Sequence, residues 1–226
     1  ISGDTVILGA PLDDDTATDA GAAYIYTRSG TTWTLEQKLQ ASDAQADDGV
    51  NGTAYAISGD TAVIGAQDED STASAAGSIY VFTRSGTTWT EQQKIQASDA
   101  AESDRFGVSV GIDGDTIVVG AHYEDDTGSN AGSIYVFTRS GTTWTQQQKL
   151  TPSVSEVTAR FGTAVSIDGD TAVVGVPYEN VSSVADAGVV YIFTRSGTTW
   201  TEQQRIPHPT PGANDHFGKS VDIDVN

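Results

Sequence analysis

The side chains best suited to chemistry in this sequence are oxygen ligands at alternate positions of two acidic segments. One reads Asp13-Asp14-Asp15-Thr16-Ala17-Thr18-Asp19, the other Glu124-Asp125-Asp126-Thr127-Gly128-Ser129-Asn130. Asp13, Asp15 and Asp19, like Glu124, Asp126 and Asn130, match the first half of a hard-cation loop, so calcium is the one cofactor the chain could hold. Two related segments break the pattern. Glu69-Asp70-Ser71 leads to Ala75, and Glu179-Asn180-Val181 leads to an insertion. Only the first position stays acidic in all four: Asp13, Glu69, Glu124 and Glu179. A carboxylate needed every time points to a structural task, such as accepting amide bonds within its own loop; otherwise such runs are solvated faces. Beside these acids, Tyr123 and Tyr178 could stack on sugar rings as ligand-binding residues, or simply cover the base of the loop.

Other chemistry is thinly represented. Gly107-Val108-Ser109-Val110-Gly111 has the spacing of a nucleophile elbow, but it lies in a strand-like alternating run rather than at a strand-to-helix turn. The fourth copy of that run has Ala164 in place of Ser109. His122, His208 and His216 are scattered without metal-ligand spacing. There is no cysteine, hence no thiolate nucleophile and no disulfide. Acidic pairs are too many to single out a general acid and base. No catalytic residue is predicted, and the protein is not expected to be an enzyme. A formal charge of -20 lacks the basic face that nucleic acid or an anionic membrane surface would need. No apolar run approaches the ~20 residues of a spanning helix. Strong acidity without cysteine fits a secreted or cell-surface protein.

The elements that must position these residues come in four copies. Thr-Arg-Ser-Gly-Thr-Thr-Trp-Thr begins at Thr27, Thr83, Thr138 and Thr194, and Gly-Asp-Thr begins at Gly3, Gly59, Gly114 and Gly169. Two independent markers share one period of roughly 55 residues. In the third copy, Phe106 to Ile112 alternates small or polar with apolar residues. Asp113-Gly114-Asp115 turns into the β-branched run Thr116 to Gly120. After the acidic loop comes Ser133 to Thr138, and Ser140-Gly141 turns into a fourth run carrying Trp144. Four short strands per unit predict an all-β fold, a β-propeller of four-stranded antiparallel blades within one domain. The units run over about 1–49, 50–104, 105–159 and 160–215, with a last strand at 216–224. The first strand of each blade should lie at the axis. Tyr135, Phe137, Trp144 and their counterparts should fill the wedges between blades. Asp4, Asp60, Asp115 and Asp170 should be turn formers bonding nearby amides.

The motifs themselves resemble FG-GAP repeats. Phe106-Gly107, Phe161-Gly162 and Phe217-Gly218 supply the first half, with Gly120-Ala121 and Gly175-Val176-Pro177 following two of them; Gly9-Ala10-Pro11 matches the second half literally. The copy entering the second unit departs, reading Val50-Asn51-Gly52. The resemblance implies a propeller like the seven-bladed one of integrin α subunits, and an extracellular adhesion or surface-assembly role with a protein, a glycan or another copy as partner. Family members often carry a calcium loop between the first two strands. Here that place holds only Asp113-Gly114-Asp115 and its equivalents, too few oxygens for calcium. The head enters just before a second strand and the tail supplies a first strand, so the ring is expected to close by pairing of the two. A larger ring or strand addition between molecules would use the same ends. A lectin-like propeller and an accessory domain of a secreted enzyme are the remaining alternatives. Asn51-Gly52-Thr53 and Asn180-Val181-Ser182 match the glycosylation sequon.

Overall fold

A computed structural model describes residues 1–46, 48 and 54–224; Val50-Asn51-Gly52 and the Asn51 sequon lie outside them. The fold is an all-β propeller built from antiparallel sheets. Blade one has three strands, which correspond to the second, third and fourth of the other blades: β1 (Thr5–Ala10), β2 (Ala22–Ser29) and β3 (Thr32–Leu39). Blade two has β4 (Tyr55–Ser58), β5 (Thr61–Ala66), β6 (Ser78–Ser85) and β7 (Thr88–Ile95). Blade three has β8 (Phe106–Asp113), β9 (Thr116–Ala121), β10 (Ser133–Ser140) and β11 (Thr143–Leu150). Blade four has β12 (Ala164–Asp168), β13 (Thr171–Val176), β14 (Val189–Ser196) and β15 (Thr199–Pro207). Each strand pairs with its sequence neighbour, and the third strand of every blade carries a register shift at the same place, before Tyr26, Phe82, Phe137 and Phe193.

Period-two alternation assigns side chains to wedges. On β10, Tyr135 and Phe137 join the core shared with blade two, while Ile134 and Val136 join the core shared with blade four. Three such cores lie between successive blades, and Trp89, Trp144 and Trp200 are each 98% buried in them. The first strands run along the axis as expected. β4, β8, β12 and residues 221–223 line a central cavity of about 300 Å³.

The seams between blades are built from one repeated set of polar contacts. The Gln93 side chain pairs with both sides of the Trp144 backbone, its amide donating to the carbonyl (3.0 Å) and its oxygen accepting from the N–H (2.8 Å). Gln37 with Trp89 and Gln148 with Trp200 do the same. Arg84, Arg139 and Arg195 reach from their own blades to Thr5, Thr61 and Thr116 of the preceding blade, and each guanidinium sits 5.1 Å over its own blade's Trp. The turn aspartates differ from expectation here. Asp4, Asp60, Asp115 and Asp170 accept Nε–H of Arg28, Arg84, Arg139 and Arg195 at 2.7–2.8 Å, while their backbone carbonyls accept the arginine N–H. A guanidinium fork makes a better partner for a carboxylate than a single amide.

The expected pairing of the tail with the first blade is not seen among the described residues. Phe217 bridges in parallel to Gly188 of blade four, and Ser166 donates to Asp222, so 216–224 lies along blade four rather than β1. Among the described residues β1 pairs with β2 alone. A steric socket seats the tail on blade four. A Cβ on Gly175 or Gly188 would collide with the carbonyls of Gly218 and Phe217, just as one on Gly65 or Gly77 would strike Gly107 and Phe106. The bare α-carbons of a blade therefore receive the Phe-Gly that follows it in sequence. The face of blade one that points away from blade two stays open: Trp33 is 38% exposed and Leu8 51%.

Candidate functional site

The strand-two-to-strand-three loops and the connections between blades share one end of the propeller. Each loop opens with the acid singled out in the sequence, and each acid is turned inward. Glu69, Glu124 and Glu179 are nearly fully buried. Glu124 accepts from Lys149 (2.9 Å), from Ser133 (2.5 Å) and from the Asp126 N–H of its own loop (2.8 Å). Glu69 has the same set in Lys94, Ser78 and the Ser71 N–H. Asp13 accepts from Lys38, Tyr24 and the Asp15 N–H. The structural task read from the sequence is thus visible atom by atom, with an unforeseen lysine from the fourth strand as principal partner.

Blade four alters the set. Val189 stands where Ser78 and Ser133 donate, and Glu179 is held by Arg205 (2.7 Å) and Tyr191 (2.9 Å). The acidities diverge accordingly. For Glu69, burial raises the pKa, but Lys94, Ser71 and Ser78 outweigh it and hold the carboxyl at about 2. For Glu179, burial dominates over Arg205 and Tyr191, and the carboxyl sits above its ordinary value.

In two loops the alternate acids share a lysine ammonium group. Lys38 Nζ lies 2.6 Å from both Asp13 and Asp15, and Lys149 Nζ lies 2.9 Å from Glu124 and 2.7 Å from Asp126. Asp19 and Asn130 each take φ 52° and serve the loop through the backbone: Asp19 N–H donates to Asp14, and the Asn130 carbonyl accepts from Arg160 N–H. Among the described residues no three His, Cys, Asp or Glu side chains converge as a metal site.

Nearer the axis the picture reverses sign. Arg105 lies 5.0 Å and Arg160 4.9 Å from the Tyr123 ring centre, and Arg160 lies 4.4 Å from that of Tyr178, which His216 flanks at 4.8 Å. The two candidate tyrosines are therefore brought into one half-buried ladder. Each ring is flanked by guanidinium or imidazole groups. Within the ladder's inner side, His122 is 91% buried and neither ring nitrogen has a partner; Arg160 Nε is also buried and unpaired. Leaving such a group unsatisfied costs about 1–3 kcal/mol. Burial, with the charges of Arg160 and Arg105, lowers the His122 pKa to about 4, so the ring is neutral at pH 7. His122 opens onto a cavity of about 400 Å³ beside Ser109, Thr163 and Lys219. Ser109 Oγ donates to the Gly162 carbonyl at 2.7 Å from within β8, as a structural serine and not an elbow nucleophile. His208 lies apart, 3.8 Å from Asp215.

Nine of the eleven Lys and Arg have a carboxylate partner within 4.0 Å; among the described residues only Arg160 and Lys219 lack one. Both lie at this axial mouth. The sequence carried a signal for it that spacing arguments passed over. His122 stands where the other copies have Pro11, Gln67 and Pro177, and Arg105, Arg160 and His216 each precede a Phe-Gly.

Comparison with known proteins bears on the repeats directly. No curated protein matches the chain. Among solved structures, TolB from Acinetobacter baumannii is similar over 88% of this chain and 42% of that one, at 11% identity and a TM-score of 0.47; the chain thus spans less than half of that protein's length. The model of the FG-GAP repeat matches residues 1–26, 33–82, 89–137 and 144–193, and so takes in the socket glycines, the loop acids and the seam residues Trp89 and Trp144. With four matches covering most of its length, this chain belongs to the FG-GAP repeat family.

Proposed function

We propose that this chain is a non-enzymatic binding module of an extracellular or cell-surface protein, and that it meets its protein or glycan ligand with the loop end. The carrying observation is the distribution of cations: in a chain of charge -20, Arg160 and Lys219 alone among the described Lys and Arg have no carboxylate partner, and both lie at the loop end. Family membership and acidic, cysteine-free composition support the extracellular setting. Purified protein should be tested on an immobilised panel of polysaccharides and matrix proteins. Binding lost in Arg160→Ser but kept when Ser140, at the opposite end, becomes Asn supports the reading. Binding that ignores Arg160→Ser, with the melting temperature unchanged, overturns it.

One observation favours a second reading, assembly through the open face of blade one. Trp33, Arg28 and Leu8 form the receiving half of the seam, and Gln203, Gln204 and Thr171 of blade four form the donating half. Light scattering on the purified chain tests it. A species larger than the 23.5 kDa monomer that Trp33→Glu dissolves supports assembly, and a monomer at all concentrations ends it.

A further inference from the structure

We infer that the open face of blade one receives blade four of a second copy, and that Leu35 and Pro209 are the residues that select this joint. The inference rests on the assembly reading and names its partner surface. Each of the three seams carries one further polar contact, from the connection that leaves a blade to the fourth strand of the next. Ser42 N–H and Oγ–H donate to the Glu91 carboxylate at 2.8 and 2.9 Å. Ser153 does the same to Glu202 at 2.8 and 2.6 Å, and Ser98 N–H donates to Gln146 Oε1 at 3.0 Å. The donor stands nine residues after the tryptophan of its own blade, and the acceptor two residues after that of the next. By the same count the donor position of blade four is Pro209, and the acceptor position of blade one is Leu35. Proline has no N–H to give, and leucine has no oxygen to receive one. Both halves of this contact are thus replaced by apolar groups, on the two faces that would meet in a fourth seam.

The rest of the seam apparatus is present on those faces. Gln204 stands where Gln37, Gln93 and Gln148 clasp the next tryptophan's backbone, but it is exposed and they are half-buried. Thr171 stands where Thr5, Thr61 and Thr116 accept from the next arginine, but it is half-buried and they are buried. Ile192 and Ile206 are likewise half-buried where Val136 and Leu150 are buried. On blade one, Leu35 is 48% exposed beside the exposed Trp33. Both faces stand open in one molecule, so the occupant is a second copy; because the faces differ, the contact is head-to-tail. The apolar pair also rejects wrong partners. Ser42, Ser98 or Ser153 set against Leu35 would bury donors without an acceptor, and Pro209 set against Glu91 or Glu202 would leave a carboxylate without its donors.

Sedimentation equilibrium on the intact chain tests this with Leu35→Glu, Pro209→Ser and the two combined. The unaltered chain should associate reversibly. Leu35→Glu should weaken association about tenfold, and Pro209→Ser about threefold. Independent losses would multiply to about thirtyfold. The double variant instead rebuilds the serine–glutamate contact of the other seams, so it should return to within about threefold of the unaltered chain. Both positions are exposed, so the melting temperatures of the single variants should stay unchanged. A double variant that loses the full product would overturn the pairing of Leu35 with Pro209 and leave assembly standing. A monomer at every concentration would overturn both. Melting temperatures that fall in each single variant of such a monomer and recover in the double would place the joint within one chain, and so also overturn the second copy as partner.

Discussion

The two ends of this propeller solve the same electrostatic problem in opposite ways. At the turn end, each blade repeats one arrangement, an aspartate from the first hairpin clasped by an arginine from the second, with the guanidinium resting on a tryptophan. The aspartate, arginine and tryptophan of that arrangement are the same in every copy, and each of those aspartates meets its arginine. At the loop end, the outer acids are answered by fourth-strand cations, but the positions around the axis change from copy to copy: Leu12, Asp68, Tyr123, Tyr178. Uniformity marks the end that holds blades together, and divergence marks the end where loops can change without disturbing a seam.

The largest perturbation that separates the ends is removal of a seam tryptophan. Trp144→Ala should cost about 3–5 kcal/mol in urea unfolding, whereas Trp33→Ala, on the open face, should cost less than about 1 kcal/mol. Next is the loop-end acid. Glu69→Gln keeps the shape but removes the charge facing Lys94 and should cost about 1–3 kcal/mol at pH 7. The folded carboxyl is depressed to about 2, so its contribution is complete above the ordinary value of 4.5 and fades as pH falls toward 2. Thermal melts of the variant should lack that acid limb.

Asp104 should act with the opposite sign. It is buried at the entrance to blade three, and burial first, with Glu124, Asp125 and Asp99 nearby, raises its carboxyl to about 6 despite a bond from Ala101 N–H. The folded state therefore holds that proton more tightly than the unfolded chain. The associated stability is full below pH about 3.8 and lost as pH rises through 6. Asp104→Asn should raise the melting temperature at pH 7 and leave it unchanged at pH 3.5; equal effects at both would show that burial is not the cause. Smaller still, Arg139→Ala should cost about 1 kcal/mol, since its ion pair with Asp115 is exposed and only the stack on Trp144 and the Thr61 bond count. Smallest of all is calcium. With Lys38 and Lys149 already between the loop acids, millimolar calcium or a chelator should move the melting temperature by less than about 1 °C; a larger rise with calcium would show that the ammonium groups yield their place.

The uniform end was legible in the sequence because its residues recur in phase. Trp, Arg, Asp and Gln repeat at one spacing, so blade, wedge and axial strand could be assigned before any coordinates. What could not be read was pairing across a seam: nothing local says that Gln93 meets the Trp144 backbone or that Asp115 prefers Arg139 to an amide. The loop acids were read half correctly. Their recurrence suggested structure, but the lysine that makes Asp13 and Asp15 a pair lies 23–25 residues away on another strand. The axial mouth was least legible, because it is assembled from single departures, His122 and Arg160, in different copies. A search for recurrence discards such residues as noise.

The glycine sockets give the array a polarity. Blades two, three and four offer bare α-carbons on one side, and the Phe-Gly that follows each in sequence, at 106–107, 161–162 and 217–218, docks there, so at these joints a unit seats onto the one that precedes it in the chain. Growth can therefore proceed in the order of synthesis, every finished unit serving as template for the next. Shortening the chain from its C-terminal end should peel off whole units and leave the earlier ones seated, while a side chain placed on Gly120 should stop the series at that joint.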